Sequence, residues 1–320
     1  MQGQIHRAIE EIRQFREKEG DASLSGDGLR RVLVDAMHAA SILTGEHSDG
    51  MSVADLLEEG ASVEELTERS KGLWGTHLLR PLLLVLEGTF EQLTNDNIWA
   101  EPLERSRTGL ELAIASVGRV ERVGDPSDES RGTAWMIAEG IVATNGHVAL
   151  DYFASSGEPR AQRCQIDFLE EFQRSRDLTF EVAALEFVDK EADIALMRLR
   201  GSRETWPRPL QISGGHPEVG RSVTAIGYPG NRYPGDTPSW LKNVVTAGIY
   251  EVKRLQPGKV SGRLAGGFNH DCSTAPGNSG SPIVDIEAGE VVGMHHSGRY
   301  PWDNYAVSGE HLLRALRDVG

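Results

Sequence analysis

A serine hydroxyl attacks a carbonyl only when a base takes its proton and fixed N–H groups receive the charge that develops on oxygen. One stretch of this 320-residue chain has residue types suited to that chemistry, Gly277-Asn278-Ser279-Gly280-Ser281-Pro282, followed by the apolar pair Ile283-Val284. It reads as a tight turn that presents a hydroxyl, with a strand leaving it. Glycine at 277 lets the backbone turn its amides inward without a Cβ in the way. The backbone N–H groups of Gly277 and Ser279 are therefore the expected oxyanion donors. A base and its orienting acid are available upstream. Thr144-Asn145-Gly146-His147 closes an apolar strand running from Met136 to Ala143, with a histidine at its end. Asp193 opens Asp193-Ile194-Ala195-Leu196-Met197-Arg198-Leu199, whose alternation reads as a half-buried strand.

The expected roles follow. Ser279 is the nucleophile, and His147 is the base that later protonates the leaving amine, a double role suited to a side chain that ordinarily titrates near neutral pH. Asp193 holds the imidazole tautomer. Asp189 and Glu191 are nearby alternatives, but neither opens an alternating apolar strand. A serine between glycines is by itself usually only a turn. The weight lies in three pieces, each at a strand edge, in the order His, Asp, Ser.

These pieces need a frame to bring them together. Residues 1–111 read as helical, with apolar stripes at Ile5, Ala8, Ile9, Ile12 and Phe15, at Leu29, Val32, Leu33 and Met37, and from Leu78 to Phe90. Shorter helices are expected around Leu56 and Leu66, and Gly/Ser/Asp-rich loops at 20–28 and 45–50. From Ile114 the period changes. Ile114 to Val120 reads as a first strand, and short strands punctuated by Gly and Pro follow, among them Val223–Tyr228, Val244–Val252 and Gly258–Leu264. A long loop is expected at 229–241, a last strand at Asn304–Val307 and a terminal helix at His311–Val319.

Gly132-Thr133-Ala134-Trp135, Thr144-Asn145-Gly146-His147, Asp193-Ile194-Ala195-Leu196 and Gly277-Asn278-Ser279-Gly280-Ser281-Pro282 together resemble the chymotrypsin-like (trypsin-like) serine peptidases. The match extends from about residue 112 to 308, and its last motif resembles the bacterial glutamyl-endopeptidase branch. The resemblance implies a multi-domain α + β chain. An N-terminal α-helical domain (1–111) would precede an all-β peptidase domain (112–320) of two six-stranded antiparallel barrels, closed by a C-terminal helix. His147 and Asp193 would come from the first barrel and Ser279 from the second. The resemblance also implies an S1 pocket at Ser273, Thr274, His295 and Ser297. In the glutamyl-endopeptidase pattern the residues in the places of Thr274 and His295 bind a P1 carboxylate, and Ser273 stands where trypsins carry an aspartate. A preference for acidic P1 residues is the expectation. That branch also uses a free mature α-amino group for P1 binding, whereas here a long segment precedes the barrels. His295 and His296, adjacent on a strand, should face opposite ways and make a poor metal pair. Cys272 reads as a small buried apolar residue.

Composition bounds the partners. The formal charge is −15, and residues 1–105 carry 10 Lys and Arg against 20 Asp and Glu, about −10 of that total. Such a chain repels phosphate backbones, so nucleic acid is not expected as a partner. No run approaches the ~20 apolar residues that span a bilayer, so no membrane partner is expected either. The first residues lack the apolar core of a secretory signal, and with only two cysteines a disulfide framework is not expected. The expected location is the bacterial cytoplasm. The expected partners are a protein or peptide substrate, together with a regulatory protein or activating protease acting through residues 1–111. No cofactor or metal is needed, because the triad supplies nucleophile, base and charge stabilisation. The helical part is either a docking module, as in signalling or defence systems, or an inhibitory prosegment of a zymogen, cut near Arg105-Ser106-Arg107 or Arg131. A catalytically silent peptide-binding module and an esterase are the rival readings.

Overall fold

A computed structural model of the chain describes residues 81–93, 97–124, 130–173, 177–231, 249–299 and 303–319. The chain divides into two compact units, Met1–Leu79 with Asp96–Ile98, and Arg80–Asn95 with Trp99–Gly320. The helical stripes expected before residue 78, the loops among them, most of the 229–241 loop and most of the strand expected at 244–252 lie outside the described residues. The second unit holds all the strands and helices described below.

That unit opens with a hairpin, β1 (Leu83–Leu86) and β2 (Thr89–Phe90), where the sequence reading expects a helical stripe from Leu78 to Phe90. The correction has a local cause. A short apolar run does not distinguish strand from helix by period, and here Glu87 and Gly88 take positive φ values (48° and 80°), the geometry of a two-residue hairpin turn. β1 then pairs antiparallel with a strand far along the chain, Leu83 opposite Leu255. Two helices follow, α1 (Ala100–Arg105) and α2 (Arg107–Ala115). The second runs through Ile114 and Ala115, so the first barrel strand, β3 (Val117–Arg122), begins three residues later than its expected start.

β3, β4 (Gly132–Ala138), β5 (Ile141–Thr144), β6 (Cys164–Asp167), β7 (Thr179–Asp189) and β8 (Ile194–Leu199) close into an antiparallel barrel in the order β3-β4-β5-β8-β7-β6. The apolar stretch Met136–Ala143, expected as one strand, is the end of β4, a turn at Glu139-Gly140, and the start of β5. β9 (Ser222–Gly227), β10 (Arg254–Leu264), β11 (Gly267–His270), β12 (Pro282–Asp285), β13 (Val291–Arg299) and β14 (Asp303–Ser308) form a second ring, which the β10–β11 pairing closes. The β1–β2 hairpin is added to its β10 edge. α3 (Gly146–Ala149) is a single turn after β5, and α4 (Gly309–Val319) ends the unit.

Side-chain alternation with both faces covered explains why strands such as Ile141–Thr144 are buried along their whole length. In β4 and β8, Ala134, Met136, Ala195, Met197 and Leu199 face the first barrel's interior with Val142 and Ile166. Their neighbours Trp135, Ile137, Ile194 and Leu196 face outward into a larger cluster with Leu83, Val85, Phe90, Trp99, Leu103, Leu110, Ile226, Leu255 and Leu312. Leu83, Val85, Phe90, Trp99, Leu103 and Leu110 are thus part of the hydrophobic mass on which both barrels rest.

Candidate active site

β5 and β8 lie side by side with Thr144 opposite Ala195, so the residues just past β5 meet those just before β8. His147 sits on α3, and Asp193 precedes β8 in a left-handed conformation (φ 54°) that aspartate tolerates better than most side chains. The Asp193 carboxylate grips this histidine twice. Its Oδ2 lies 2.8 Å from Nδ1 of the ring, and its Oδ1 accepts the His147 backbone N–H at 2.9 Å. An ionised carboxylate can only accept, so the ring proton is on Nδ1 and Nε2 is left as a free base. Asn145 Nδ2 donates to the Asp193 carbonyl (3.0 Å) and fixes the same corner. A Cβ on Gly146 would stand 3.2 Å from Asp193 Oδ1, so glycine there keeps the approach close. The ring is 53% exposed and the carboxylate 25%, an open site rather than a buried ion pair. Asp189, the alternative acid, is occupied elsewhere: its Oδ1 accepts the N–H groups of Glu191 and Ala192 and holds the turn into β8.

The turn bearing Ser279 belongs to the second barrel but is fastened to the first. Thr133 N–H donates to the Ser279 carbonyl (2.8 Å), and Thr133 Oγ1 donates to the Gly277 carbonyl (2.9 Å). Thr144 Oγ1 in turn donates to the Thr133 carbonyl (2.7 Å). Gly280 packs against the Thr133 carbonyl and Thr144, with no room for a Cβ. The half-buried Ser279 is therefore tied to the end of β5, three residues before His147. Within the turn, the N–H groups of Asn278, Gly280 and Ser281 donate to Ala275 O (3.0 Å), His295 O (2.9 Å) and Asn278 O (2.9 Å). Those of Gly277 and Ser279 have no acceptor among the described residues. The Pro276 carbonyl accepts from Gly230 N–H (2.6 Å). Since N–H and C=O point opposite ways across a trans peptide, the Gly277 N–H is aimed away from Gly230. Gly277 has φ +103°, and a Cβ there would collide with the Tyr228 carbonyl, so this turn requires glycine.

The residues expected to form a specificity pocket are spread over three adjacent segments. Thr274 is buried and its Oγ1 donates to Asn304 Oδ1 (2.7 Å), while Asn304 Nδ2 donates to the Cys272 carbonyl (2.7 Å). Ser273 is half-buried, and Ser297 is exposed with its hydroxyl 2.9 Å from His296 Nδ1. His295 is 4% exposed and is joined not to Thr274 but to a fully buried histidine, His270, Nδ1 to Nε2 at 3.2 Å. Burial drives the pKa of His270 down to about 3 and that of His295 well below its ordinary value, so both rings are neutral. His270 Nδ1 has no partner among the described residues. A buried N–H without an acceptor is costly, which places the His270 proton on Nε2, donating to His295, and the His295 proton on its own Nε2.

The pairing of β13 with β14 is irregular between His295 and Ser297, so the simple alternation expected for His295 and His296 does not apply at this pair. His296 is half-buried, and its pKa is lowered by burial, with Asp193 opposing that shift and His147 adding to it. It therefore lies within the field of the His147–Asp193 pair. Sequence reasoning considers His296 only as half of a metal pair, and it misses His270 and Asn304, which no motif marks. Among the described residues one acidic group has ligand-like spacing: oxygens of Glu121, Asp167 and Glu170 fall within 4.8 Å of one another. The buried Arg119 guanidinium bonds Glu121 (2.7 Å) and Glu170 (3.1 Å), which makes this an ion-pair cluster.

Residues 132–294 match the family model of the trypsin-like peptidase domain. The Arabidopsis thaliana protein named "Putative protease Do-like 14" is 27% identical over 166 residues, which is 49% of this chain and 33% of that one. The chain thus spans about a third of that relative's length. Two solved structures are similar at 20% identity. One is Deg5 (TM-score 0.48, 70% of this chain and 95% of that one), and the other a serine endoprotease from Yersinia pestis (TM-score 0.46, 67% and 66%). With a family model that covers half its length and two closed six-stranded barrels bearing the motifs in order, this chain belongs to the trypsin-like peptidase family.

Proposed function

We propose that this protein is a serine endopeptidase with Ser279, His147 and Asp193 as its triad. The observation that carries the reading is the double grip of Asp193 on His147, which orients the ring and leaves Nε2 as the base. In the reaction, Nε2 takes the Ser279 hydroxyl proton as Oγ attacks the scissile carbonyl. The N–H groups of Gly277 and Ser279, which lack acceptors among the described residues, receive the charge on the carbonyl oxygen. The imidazolium, stabilised by Asp193, then protonates the leaving amine. Water, deprotonated by the same nitrogen, hydrolyses the acyl-enzyme.

For specificity we propose a preference for acidic P1 side chains, as in glutamyl endopeptidases. The His295 Nε2–H is a donor suited to a carboxylate, beside a Thr274 hydroxyl whose own proton is held by Asn304 Oδ1. Ser273 and Ser297 add neutral hydroxyls, and none of these four residues carries a negative charge that would attract Lys or Arg. Residues 1–79 are proposed to dock a regulatory partner rather than to be released as a prosegment. The basic sites at 105–107 support this, since they follow core residues such as Trp99 and Leu103, and a cut there would strip the barrels of packing.

The test is turnover of a peptide p-nitroanilide panel varied at P1, by the full chain and by Ser279→Ala. Cleavage after Glu or Asp, abolished in the variant, is the expected result. Fastest cleavage after Phe or Arg ends the acidic-P1 assignment. Turnover that survives Ser279→Ala, or that is confined to esters, ends the endopeptidase one.

A further inference from the structure

The turn that carries Ser279 hangs on a carboxamide inside the second barrel. Asn278 is fully buried, and its Nδ2 faces the Ala275 carbonyl at 3.2 Å, a group that can only accept. Its Oδ1 therefore faces the other way, where it accepts from Ser281 Oγ (3.2 Å) and from Gln256 Nε2 (2.8 Å). Gln256 is fully buried on β10, opposite Ala225 of β9. Gly227 at the end of β9 has no Cβ, and one there would strike Ser281 Oγ and crowd Asn278 Oδ1, so the network closes only around glycine.

We infer that Gln256 is a positioning residue of the active site, whose Nε2–H anchors the Asn278 side chain and so aims the flanking N–H groups of Gly277 and Ser279. The inference rests on the peptidase reading above. With its side chain, N–H and C=O all engaged inside the barrel, Asn278 cannot rotate without breaking several hydrogen bonds. The two peptides that flank it, which carry the Asn278 and Ser279 N–H groups, are fixed with it, and the Gly277 N–H lies one peptide further back, on the unit whose Pro276 carbonyl accepts from Gly230 N–H. The energetics point the same way. Gln256 Oε1 is buried without a partner among the described residues, a penalty that an apolar side chain would avoid. A residue placed for packing would be leucine. The carboxamide instead delivers one donor to one acceptor. Charge matters as well, because a buried carboxylate at 278 would require a cation beside it. The neutral carboxamide requires only donors, which Gln256 and Ser281 supply.

The experiment uses the full chain and whichever panel peptide wild type cleaves fastest. Gln256→Leu is expected to lower kcat about 10- to 100-fold with KM unchanged, since a fully lost oxyanion donor typically costs about 10²–10³. Its melting temperature should stay level or rise, because an unpaired buried acceptor has been removed. Gln256→Glu supplies a second readout. Its carboxyl can donate to Asn278 Oδ1 only when protonated, so the ratio of variant to wild-type kcat should climb as pH falls from 8 to 5. A wild-type kcat in Gln256→Leu overturns the inference. If that variant fails to fold, a pH-independent ratio for Gln256→Glu overturns it. In either case wild type still shows Ser279-dependent turnover. Loss of that turnover in wild type instead removes the peptidase reading, and this inference with it.

Discussion

A carboxylate that holds both the ring and the backbone N–H of one histidine leaves that imidazole almost no freedom. Asp193 does this through two different oxygens, at 2.8 and 2.9 Å. Asp193→Asn keeps the shape but puts an amide donor where the ring donates, favouring the wrong tautomer. In the template triad the same change costs about 10⁴ in kcat, and a loss of that order with little change in KM is expected here, measured on the same nitroanilide. At this scale the sequence is informative. His147, Asp193 and the Gly277–Pro282 turn stand out because the chemistry dictates residue types and glycines at fixed offsets. Gln256, His270 and Asn304 do not, because they act through side-chain hydrogen bonds that only the folded chain creates.

At the scale of elements, strands are legible where alternation or turn chemistry is strong, as in β8, β9 and β14. The hairpin Leu83–Phe90 is not, because its strand character comes from pairing with β10, a neighbour about 170 residues away in sequence. The consequence is experimental. A chain beginning at residue 80 retains β1, β2, α1 and α2, and is expected to melt as one cooperative unit. A chain beginning at 110 loses Leu83, Val85, Phe90, Trp99 and Leu103 from the shared core. It also leaves buried Lys253 beside an unsupported edge, with its Nζ bonded to Ile114 O, Phe168 O and Glu171 Oε1. At about 2–5 kcal/mol per large apolar side chain, the shorter chain should be insoluble or unfolded at 25 °C. Equal melting temperatures by circular dichroism would contradict this.

For the molecule as a whole, the buried His270–His295 pair makes stability depend on pH. The His270 pKa is lowered by burial from about 6.5 to about 3, so the unfolded chain binds the proton more readily than the folded one. Stability is fully present above about 6.5 and is lost as pH falls from there toward 3, by up to about 1.4 kcal/mol per pH unit for that one proton. Melting followed between pH 7 and 4 should show a steeper fall for wild type than for His270→Gln, and parallel curves would contradict it. The fold class is legible in the chain because many short strands between glycines and prolines admit few other architectures.

The central claim is that the Ser279 hydroxyl is activated by His147, and a fluorophosphonate tests it directly, since it reacts with an activated serine and leaves a stable adduct. Mass spectrometry of the digested full chain should find the adduct on Ser279. His147→Gln should label at least about 10³-fold more slowly, in line with the loss of a triad member. An adduct on another residue, or equal labelling rates with and without the histidine, would contradict the account.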